Sequence, residues 1–381
     1  MKLLPIEGAI YLILKIIHKV SRQKKANMSL SDIKNILIIS NTAIGDTLFS
    51  TPAIRAVRQC FKDSRIIACF SVKNMALFTN NPHVDTVITY YGGYKRFLRT
   101  ILALRAKHID LAFILHGNEP QATPMAYLSG AKYIFKVPRT QKYAFLLTNP
   151  TDGFGDKSPW EHHAIDVRLK TVSFAGCFAD DKKMQLIVAA DAVQSIEGRL
   201  TKIYGVVYSN IVLIGFQCGA ANEYKMWPKG RFEALGRQLV LANPNVRIVL
   251  IGSVQEKQYC MDICKNIGTG AVSLAGELML PELAAIISKL HCLVTNDTGP
   301  LHMAVALGIK TVSLFCPTNS WGVGPIYDQH LHTVISKKRP CNPCVTKKCK
   351  APFCMASIDV EEVFSAVMEK VKNNYIYDNY L

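Results

Sequence analysis

The sequence predicts an α/β protein of two doubly wound domains, each a mostly parallel sheet covered by helices. Short, unbroken aliphatic runs alternate with helical segments, which is the pattern of βαβ units whose strands are buried on both faces. This alternation stops over roughly residues 150–190 and then resumes, so the chain has two similar halves. A length of 381 residues also suits two domains.

The first domain is expected at residues 31–180. Its first strand, Ile36–Ile39, is a continuous aliphatic run bounded by polar residues, which is typical of a strand buried on both faces. Four later runs have the same character and predict strands at 65–70, 84–90, 110–115 and 133–137. Helices are expected at 94–107 and, in the connection to the second half, at 163–175.

The second domain is expected at residues 190–360. Aliphatic runs predict strands at 211–215, 246–251, 271–274, 292–295 and 311–315. Helices between these strands are expected at 230–241, 256–266, 281–290 and 301–307. Residues 358–381 are expected to form a C-terminal helix and tail, and packing of this segment back on the first domain is one interpretation.

Residues 1–30 are predicted to contain an amphipathic helix. Its apolar run is shorter than the ~20 residues that span a bilayer, and no other segment is a spanning candidate. One face carries Ile10, Ile13, Leu14 and Ile17; the basic residues are Lys15, Lys19 and Arg22, followed by Lys24 and Lys25. Two interpretations remain open, since such a helix can lie in an anionic membrane interface or pack on its own domain.

The composition limits the classes of partner. The chain has 45 Lys and Arg against 28 Asp and Glu, a net charge of +17, which implies an anionic partner. That partner could be a nucleic acid, an acidic membrane surface or a phosphorylated substrate; no recognised nucleic-acid module is present, so only the charge supports the first. The 12 cysteines are scattered through apolar stretches, as in a reducing cytoplasm.

Chemistry is expected where strands end and helices begin, since ligands bind there in doubly wound sheets. After the first strand, Gly45 permits a tight turn and Asp46 lies at the start of a helix. Asp46 is either an N-cap or a general base. In the second half, Lys225 precedes a helix that Pro228 opens, and it is either a solvated lysine or a ligand for an anion.

The loop Asn296–Ala304 is the most informative. Thr298 and Gly299 offer N–H groups at the positive end of a helix that Pro300 opens, which predicts a phosphate site. His302 in the first turn is more often structural than catalytic when taken alone. Glu256 follows another strand and could accept hydrogen bonds from a ribose.

Five segments occur in the order seen in one family: Ile44–Thr47, Thr51–Ala56, Lys225–Pro228, Asn296–Ala304 and Leu314–Thr318. Together they resemble glycosyltransferase family 9, the bacterial heptosyltransferases of the lipopolysaccharide core. The resemblance implies a GT-B fold, in which two Rossmann-like domains face each other across a cleft. It also implies inverting, metal-independent transfer from ADP-heptose to a lipid-anchored lipopolysaccharide or lipooligosaccharide core, by a peripheral protein at the cytoplasmic face of the inner membrane.

The resemblance assigns roles to the loop residues. Asp46 becomes the general base, and Lys225 stabilises the departing diphosphate. The other expected substrate-binding residues are Gly45, Thr47, Glu256, Asp297, Thr298, Gly299 and His302. Of these, Glu256 is expected to face the ribose and His302 to support its loop. A base on one face of the sugar and a cation at the leaving group suit an oxocarbenium-like transition state. Family members often carry a hydroxyl five positions before the lysine, where this chain has Ala220.

Two alternatives share the architecture: a heptosyltransferase that modifies proteins, and a nucleotide-sugar epimerase. A separate question concerns four cysteines near the C-terminus, Cys341, Cys344, Cys349 and Cys354. Their spacing permits a structural zinc or iron site, although free thiols are equally compatible with it. No metal is expected to take part in the chemistry.

Overall fold

The computed structural model describes residues 5–21, 29, 32–94, 96–117, 119, 121–150, 154, 158–205, 210–339, 341, 344–345, 348–350 and 352–372. The chain divides into two units, Met1–Gln185 and Leu186–Leu381. Each unit contains one sheet in which every paired strand is parallel, which confirms the predicted α/β fold class.

The first unit has a five-stranded sheet in the order β3-β2-β1-β4-β5. Its strands are β1 (Asn35–Ser40), β2 (Arg65–Ser71), β3 (Thr86–Tyr90), β4 (Leu111–His116) and β5 (Tyr133–Phe135). Its helices are α1 (Pro5–Ser21), α2 (Ile44–Leu48), α3 (Thr51–Cys60), α4 (Phe97–Arg105), α5 (Ala122–Leu128) and α6 (Ala164–Ser173). The chain leaves β1 toward β2 on one side and returns to β4 on the other, so the loops after β1 and β4 flank the switch point of this sheet.

The second unit has a six-stranded sheet in the order β11-β10-β9-β6-β7-β8. Its strands are β6 (Val212–Gln217), β7 (Val246–Ile251), β8 (Ala271–Ser273), β9 (Cys292–Asn296), β10 (Thr311–Phe315) and β11 (His332–Ser336). Its helices are α7 (Ala190–Tyr204), α8 (Lys229–Ala242), α9 (Lys257–Ile267), α10 (Leu280–Ser288), α11 (Gly299–Ala306), α12 (Ser320–Val323), α13 (Phe353–Ala356) and α14 (Val360–Lys372). Here β6 and β9 are neighbours at the switch point, so their following loops lie side by side.

Helix α14 packs inside the second unit. Val363 and Val367 are fully buried in the same apolar cluster as strands β6, β7 and β9. Just before the helix, the carbonyl of Ile358 accepts a hydrogen bond of 3.0 Å from the indole Nε1 of the buried Trp227. The apolar face of α14 therefore completes the core of the second unit.

Helix α1 is held on the first unit by one face. Leu14 is buried against Tyr143 and Leu146, with Ile10 and Tyr11 beside them. The opposite stripe is 40–77% exposed and consists of Leu12, Ile13, Ile16, Ile17 and Val20. Packing on the domain is therefore confirmed for one side of the helix only, and the predicted basic residues Arg22, Lys24 and Lys25 lie outside the described residues. Within the described ranges, no helix is both long and apolar enough to cross a bilayer.

Candidate functional site

Asp46 lies at the switch point of the first sheet, in the first turn of α2. The guanidinium of Arg168 donates from Nη2 to its Oδ1 at 3.0 Å, and the Thr42 hydroxyl donates to its Oδ2 at 3.0 Å. The Nε2 atom of His116, from the end of β4, lies 3.5 Å from Oδ1. The N-cap interpretation of Asp46 is wrong, because Ala43 is the N-cap and no side chain caps α2.

Arg168 fixes the position of this carboxylate. It comes from α6, is completely buried, and also donates from Nη1 to the carbonyl of Ala164 at 2.8 Å. Burial lowers its pKa to about 10, which leaves it protonated at neutral pH. A buried guanidinium needs a carboxylate or comparable acceptor, so the ion pair with Asp46 orients both groups.

The charges around Asp46 keep it ionised. Burial raises the pKa of this carboxyl, but the interactions with His116, with the Arg168 guanidinium and with the Thr42 hydroxyl outweigh burial and lower it. Burial, followed by the charge of Arg168, lowers the pKa of His116 to about 4. At neutral pH the site therefore holds a carboxylate beside a neutral imidazole.

Beside the Asp46 site, and lined in part by His116, lies a cavity of about 210 Å³. His116, Lys136 and Arg139 contribute to its wall; Lys136 is paired with Glu119, and the Arg139 guanidinium stacks 4.0 Å from the Trp160 ring. His116, Arg139 and Arg168 were not predicted from the sequence. A polar residue where the apolar run of β4 ends was the one local signal for His116.

Two of the predicted substrate-binding residues lie inside the first unit. Thr47 is fully buried; its hydroxyl lies 3.2 Å from the carbonyls of Ser40 and Ala43 and accepts from Asn74 Nδ2 at 2.9 Å. Gly45 is also buried. Both residues shape the turn that presents Asp46, and the Thr47 hydroxyl is satisfied internally.

In the second unit, Lys225 and Asp297 are brought together from the loops after β6 and β9. Lys225 Nζ lies 2.8 Å from Asp297 Oδ2, and His302 Nε2 lies 4.0 Å from Asp297 Oδ1. Lys225 is thus an ion-paired lysine. The alternative interpretation of the sequence, a solvated loop lysine, is wrong. An ammonium group has three N–H donors, so Lys225 keeps donors for a further anion.

The amide of the buried Asn296 joins these loops. Its Oδ1 accepts from the backbone N–H of Trp227 at 3.1 Å. Its Nδ2 donates to the carbonyls of Cys218 and Gly219 at 2.8 and 3.2 Å. The position of Lys225, two residues before Trp227, is therefore fixed relative to the end of β6.

The start of α11 provides the predicted anion site. Thr298 is the N-cap, and its hydroxyl lies 3.3 Å from the Asn296 carbonyl instead of capping the helix. The N–H groups at the start of a helix lack intrahelical partners and carry the positive end of the dipole. With Gly299 and the neighbouring Lys225, this helix end suits a phosphate group.

Glu256 lies beside the end of β6. Its Oε2 accepts from the backbone N–H and the hydroxyl of Ser253 at 2.7 and 2.9 Å, which forms a capping box. Its side chain lies so close to Gly219 that a Cβ there would be 1.6 Å from Oε1. A larger residue at position 219 would therefore displace the Glu256 side chain, while contact between Glu256 and a ribose stays a prediction.

The structure does not support the metal prediction at the C-terminal cysteines. The thiols of Cys341, Cys344, Cys349 and Cys354 line a small apolar cavity of about 20 Å³, and all are free. Among the residues that the structure describes, no three His, Cys, Asp or Glu side chains are grouped so that they could hold a metal ion.

Comparisons with known proteins agree on one family. The family model described as Glycosyltransferase family 9 (heptosyltransferase) matches residues 178–354. Lipopolysaccharide heptosyltransferase 2 of Escherichia coli is 31% identical over 296 residues, which cover 74% of this chain and 83% of that protein. Lipooligosaccharide heptosyltransferase 2 of Campylobacter jejuni is 23% identical over 349 residues, 90% of this chain and 99% of its own.

A solved structure shows the same fold. The E. coli ADP-heptose lipopolysaccharide heptosyltransferase II aligns with a TM-score of 0.71 at 20% identity, over 90% of this chain and 99% of that one. The two parallel sheets are thus those of the GT-B fold. With a relative above 30% identity over most of both sequences, the chain belongs to glycosyltransferase family 9, the heptosyltransferases, and is a glycosyltransferase.

Proposed function

We propose that this chain transfers heptose from ADP-heptose to a lipid-anchored lipopolysaccharide or lipooligosaccharide core, with inversion and without a metal ion. The observation that carries the proposal is the carboxylate of Asp46, held ionised and in place by the buried Arg168 at a sheet switch point. Relatives named for heptose transfer to lipopolysaccharide and lipooligosaccharide support the sugar and the acceptor class.

The second unit would bind the donor. The diphosphate of ADP-heptose accepts hydrogen bonds from Lys225 and from the N–H groups of Thr298 and Gly299 at the start of α11. Asp297 positions Lys225 through their 2.8 Å ion pair, and His302 supports the same carboxylate. Glu256, at the end of β6, is proposed to accept a ribose hydroxyl.

The first unit would bind and activate the acceptor. Asp46 accepts the proton of the acceptor hydroxyl while the hydroxyl oxygen bonds to the anomeric carbon from the face opposite the diphosphate. The bond from that carbon to the diphosphate oxygen breaks, and ADP leaves with the electron pair, stabilised by Lys225. The adjacent cavity is lined by Arg139 and by the Lys136–Glu119 ion pair, and the Arg139 guanidinium suits an acceptor that carries carboxylate or phosphate groups.

The nucleotide is tested first, by thermal unfolding with ADP, UDP, GDP and CDP, each with and without EDTA. We expect ADP to raise the unfolding midpoint most, because ligands that bind only the folded state stabilise it by mass action. The shift should be unchanged by EDTA. A larger shift with UDP or GDP would contradict the proposed donor, and a shift lost with EDTA would contradict metal independence.

We further propose that α1 binds an anionic membrane surface, which would bring the enzyme to a lipid-anchored acceptor. The exposed stripe of Leu12, Ile13, Ile16, Ile17 and Val20 forms one side of the helix, and the exposed Lys15 and Lys19 lie along its edge. Aliphatic side chains with flanking lysines are the pattern of an interfacial helix.

The double substitution Ile13→Asn and Ile16→Asn should weaken binding to phosphatidylglycerol vesicles by at least about tenfold, because it removes apolar surface from the interface. The buried face of α1 is untouched. Leu241→Asn, at a single exposed leucine of α8, is the matched control and should bind like the unmodified chain. Co-sedimentation with the vesicles measures the binding of each protein. Equal binding of all three proteins would show that the exposed stripe of α1 does not bind the membrane.

A further inference from the structure

The hydrogen positions around Asp46 follow from its partners. Thr42 has one hydroxyl hydrogen, and a carboxylate can only accept, so this hydrogen points to Asp46 Oδ2 at 3.0 Å. The Thr42 oxygen also lies 2.6 Å from His116 Nδ1 and must be the acceptor there. His116 therefore carries its hydrogen on Nδ1 and has a bare lone pair on Nε2.

The bare Nε2 faces a second acceptor. It lies 3.5 Å from Asp46 Oδ1, longer than a good hydrogen bond, and both atoms present lone pairs to each other. Arg168 from α6, Arg139 and Lys136 after β5, and Asp46 are the charged groups that act on the imidazole. Burial, followed by the charges of the three cations, lowers the pKa of His116 to about 4, so the imidazole is neutral at pH 7 and the gap between the two acceptors holds no proton.

We propose that His116 and Asp46 act as a pair, in which His116 Nε2 takes over the proton that Asp46 removes from the acceptor hydroxyl. This inference rests on the proposed function of Asp46. The Oδ1–H bond breaks, an Nε2–H bond forms, and the carboxylate is restored beside an imidazolium. Water receives the proton from Nε2 after ADP has left. His116 acts through Asp46, so it is a positioning residue that also holds a proton.

The direction of this transfer has a physical reason. Both carboxylate oxygens of Asp46 already accept a hydrogen bond, Oδ1 from Arg168 and Oδ2 from Thr42, and these bonds favour the ionised carboxylate. His116 Nε2, 3.5 Å from Oδ1, has an open lone pair, so a proton shared by the two groups is drawn to Nε2. Arg168 orients the carboxylate of Asp46 but also makes it a weaker proton acceptor. Transfer of the proton to His116 compensates for this weakness.

The tautomer is tested without any substrate. In the full chain labelled with ¹⁵N-histidine, NMR at neutral pH should show His116 protonated on Nδ1 and bare on Nε2, with the signal assigned by its loss in His116→Gln. A hydrogen on Nε2 would overturn the proposal. This measurement decides the arrangement even if the chain transfers no heptose, in which case the proposed function fails separately.

The proton-holding role is tested by kinetics. His116→Gln should lower kcat by about 10–100-fold with the KM values for donor and acceptor changed by less than about threefold. His108→Asn, at an exposed histidine with a φ of 51° that asparagine tolerates, is the control and should be unchanged. In His116→Ala, imidazoles diffusing into the cavity should restore turnover in the order of their basicity. A kcat above about a third of the unmodified value, or rescue independent of basicity, would overturn the proposal.

Discussion

Asp46→Asn should lower the kcat of heptose transfer by about a thousandfold or more, while ADP affinity changes by less than about twofold. An amide cannot accept the hydroxyl proton, so the general-base contribution is lost, whereas the proposed donor-binding residues belong to the other unit. Transfer assays with ADP-heptose and calorimetric titration with ADP measure the two quantities. Transfer above about a tenth of the unmodified rate would show that Asp46 is not the base.

The buried Arg168 makes a second variant necessary. Asn at position 46 leaves this guanidinium without its carboxylate, which can cost about 3–5 kcal/mol of stability. Asp46→Glu retains a carboxylate for Arg168 but displaces it by one methylene. We expect this variant to unfold close to the temperature of the unmodified chain and still to lose most of its kcat, because misplacement by about 1 Å costs on the order of a hundredfold.

Lys225→Met should weaken ADP binding by about tenfold or more and lower kcat by about 100–1,000-fold. The ammonium is proposed to stabilise the diphosphate more strongly as it leaves than when it is bound, so turnover should suffer more than affinity. Titration with ADP and single-turnover transfer separate the two effects. Unchanged ADP affinity together with unchanged turnover would remove Lys225 from the donor site.

Two variants control for charge and folding at this site. Lys229→Met removes another ion-paired lysine of the same unit, which lies 2.8 Å from Asp262, and it should leave turnover unchanged. Lys225→Arg keeps a cation beside the largely buried Asp297 and should recover part of the loss. Equal losses in Lys225→Met and Lys229→Met would point to a general electrostatic effect.

The elements that the sequence predicted best are those whose local pattern is strong. β1 is a run of four fully buried aliphatic residues, and strands of this kind were found within a few residues of their predicted ends. β11 was missed, because its His332–Ser336 segment is only partly buried and has no continuous apolar run. A continuous apolar run therefore reveals a strand whether the strand is central or at the edge of a sheet, and a strand without such a run is missed.

Residues of the candidate site could be predicted only where a single loop of the sequence identifies them. Asp46, Lys225 and Asp297 follow strands at the switch points, which the βαβ rhythm locates. The partners of Asp46 were not predictable, since Arg168 is 122 positions away in sequence and approaches only through the packing of α6. For Glu256, the pattern Ser253-x-x-Glu256 could have indicated the capping box that the structure contains.

The amide of Asn296 has a consequence for how a nucleotide would meet the second unit. One side chain holds the Trp227 N–H and two carbonyls at the end of β6, so the loops that carry Lys225 and Asp297 are preorganised before any ligand arrives. The conformational entropy of these loops is lost on folding and not on binding. If the second unit binds the donor as proposed, the affinity for the donor is not reduced by a cost of ordering these loops.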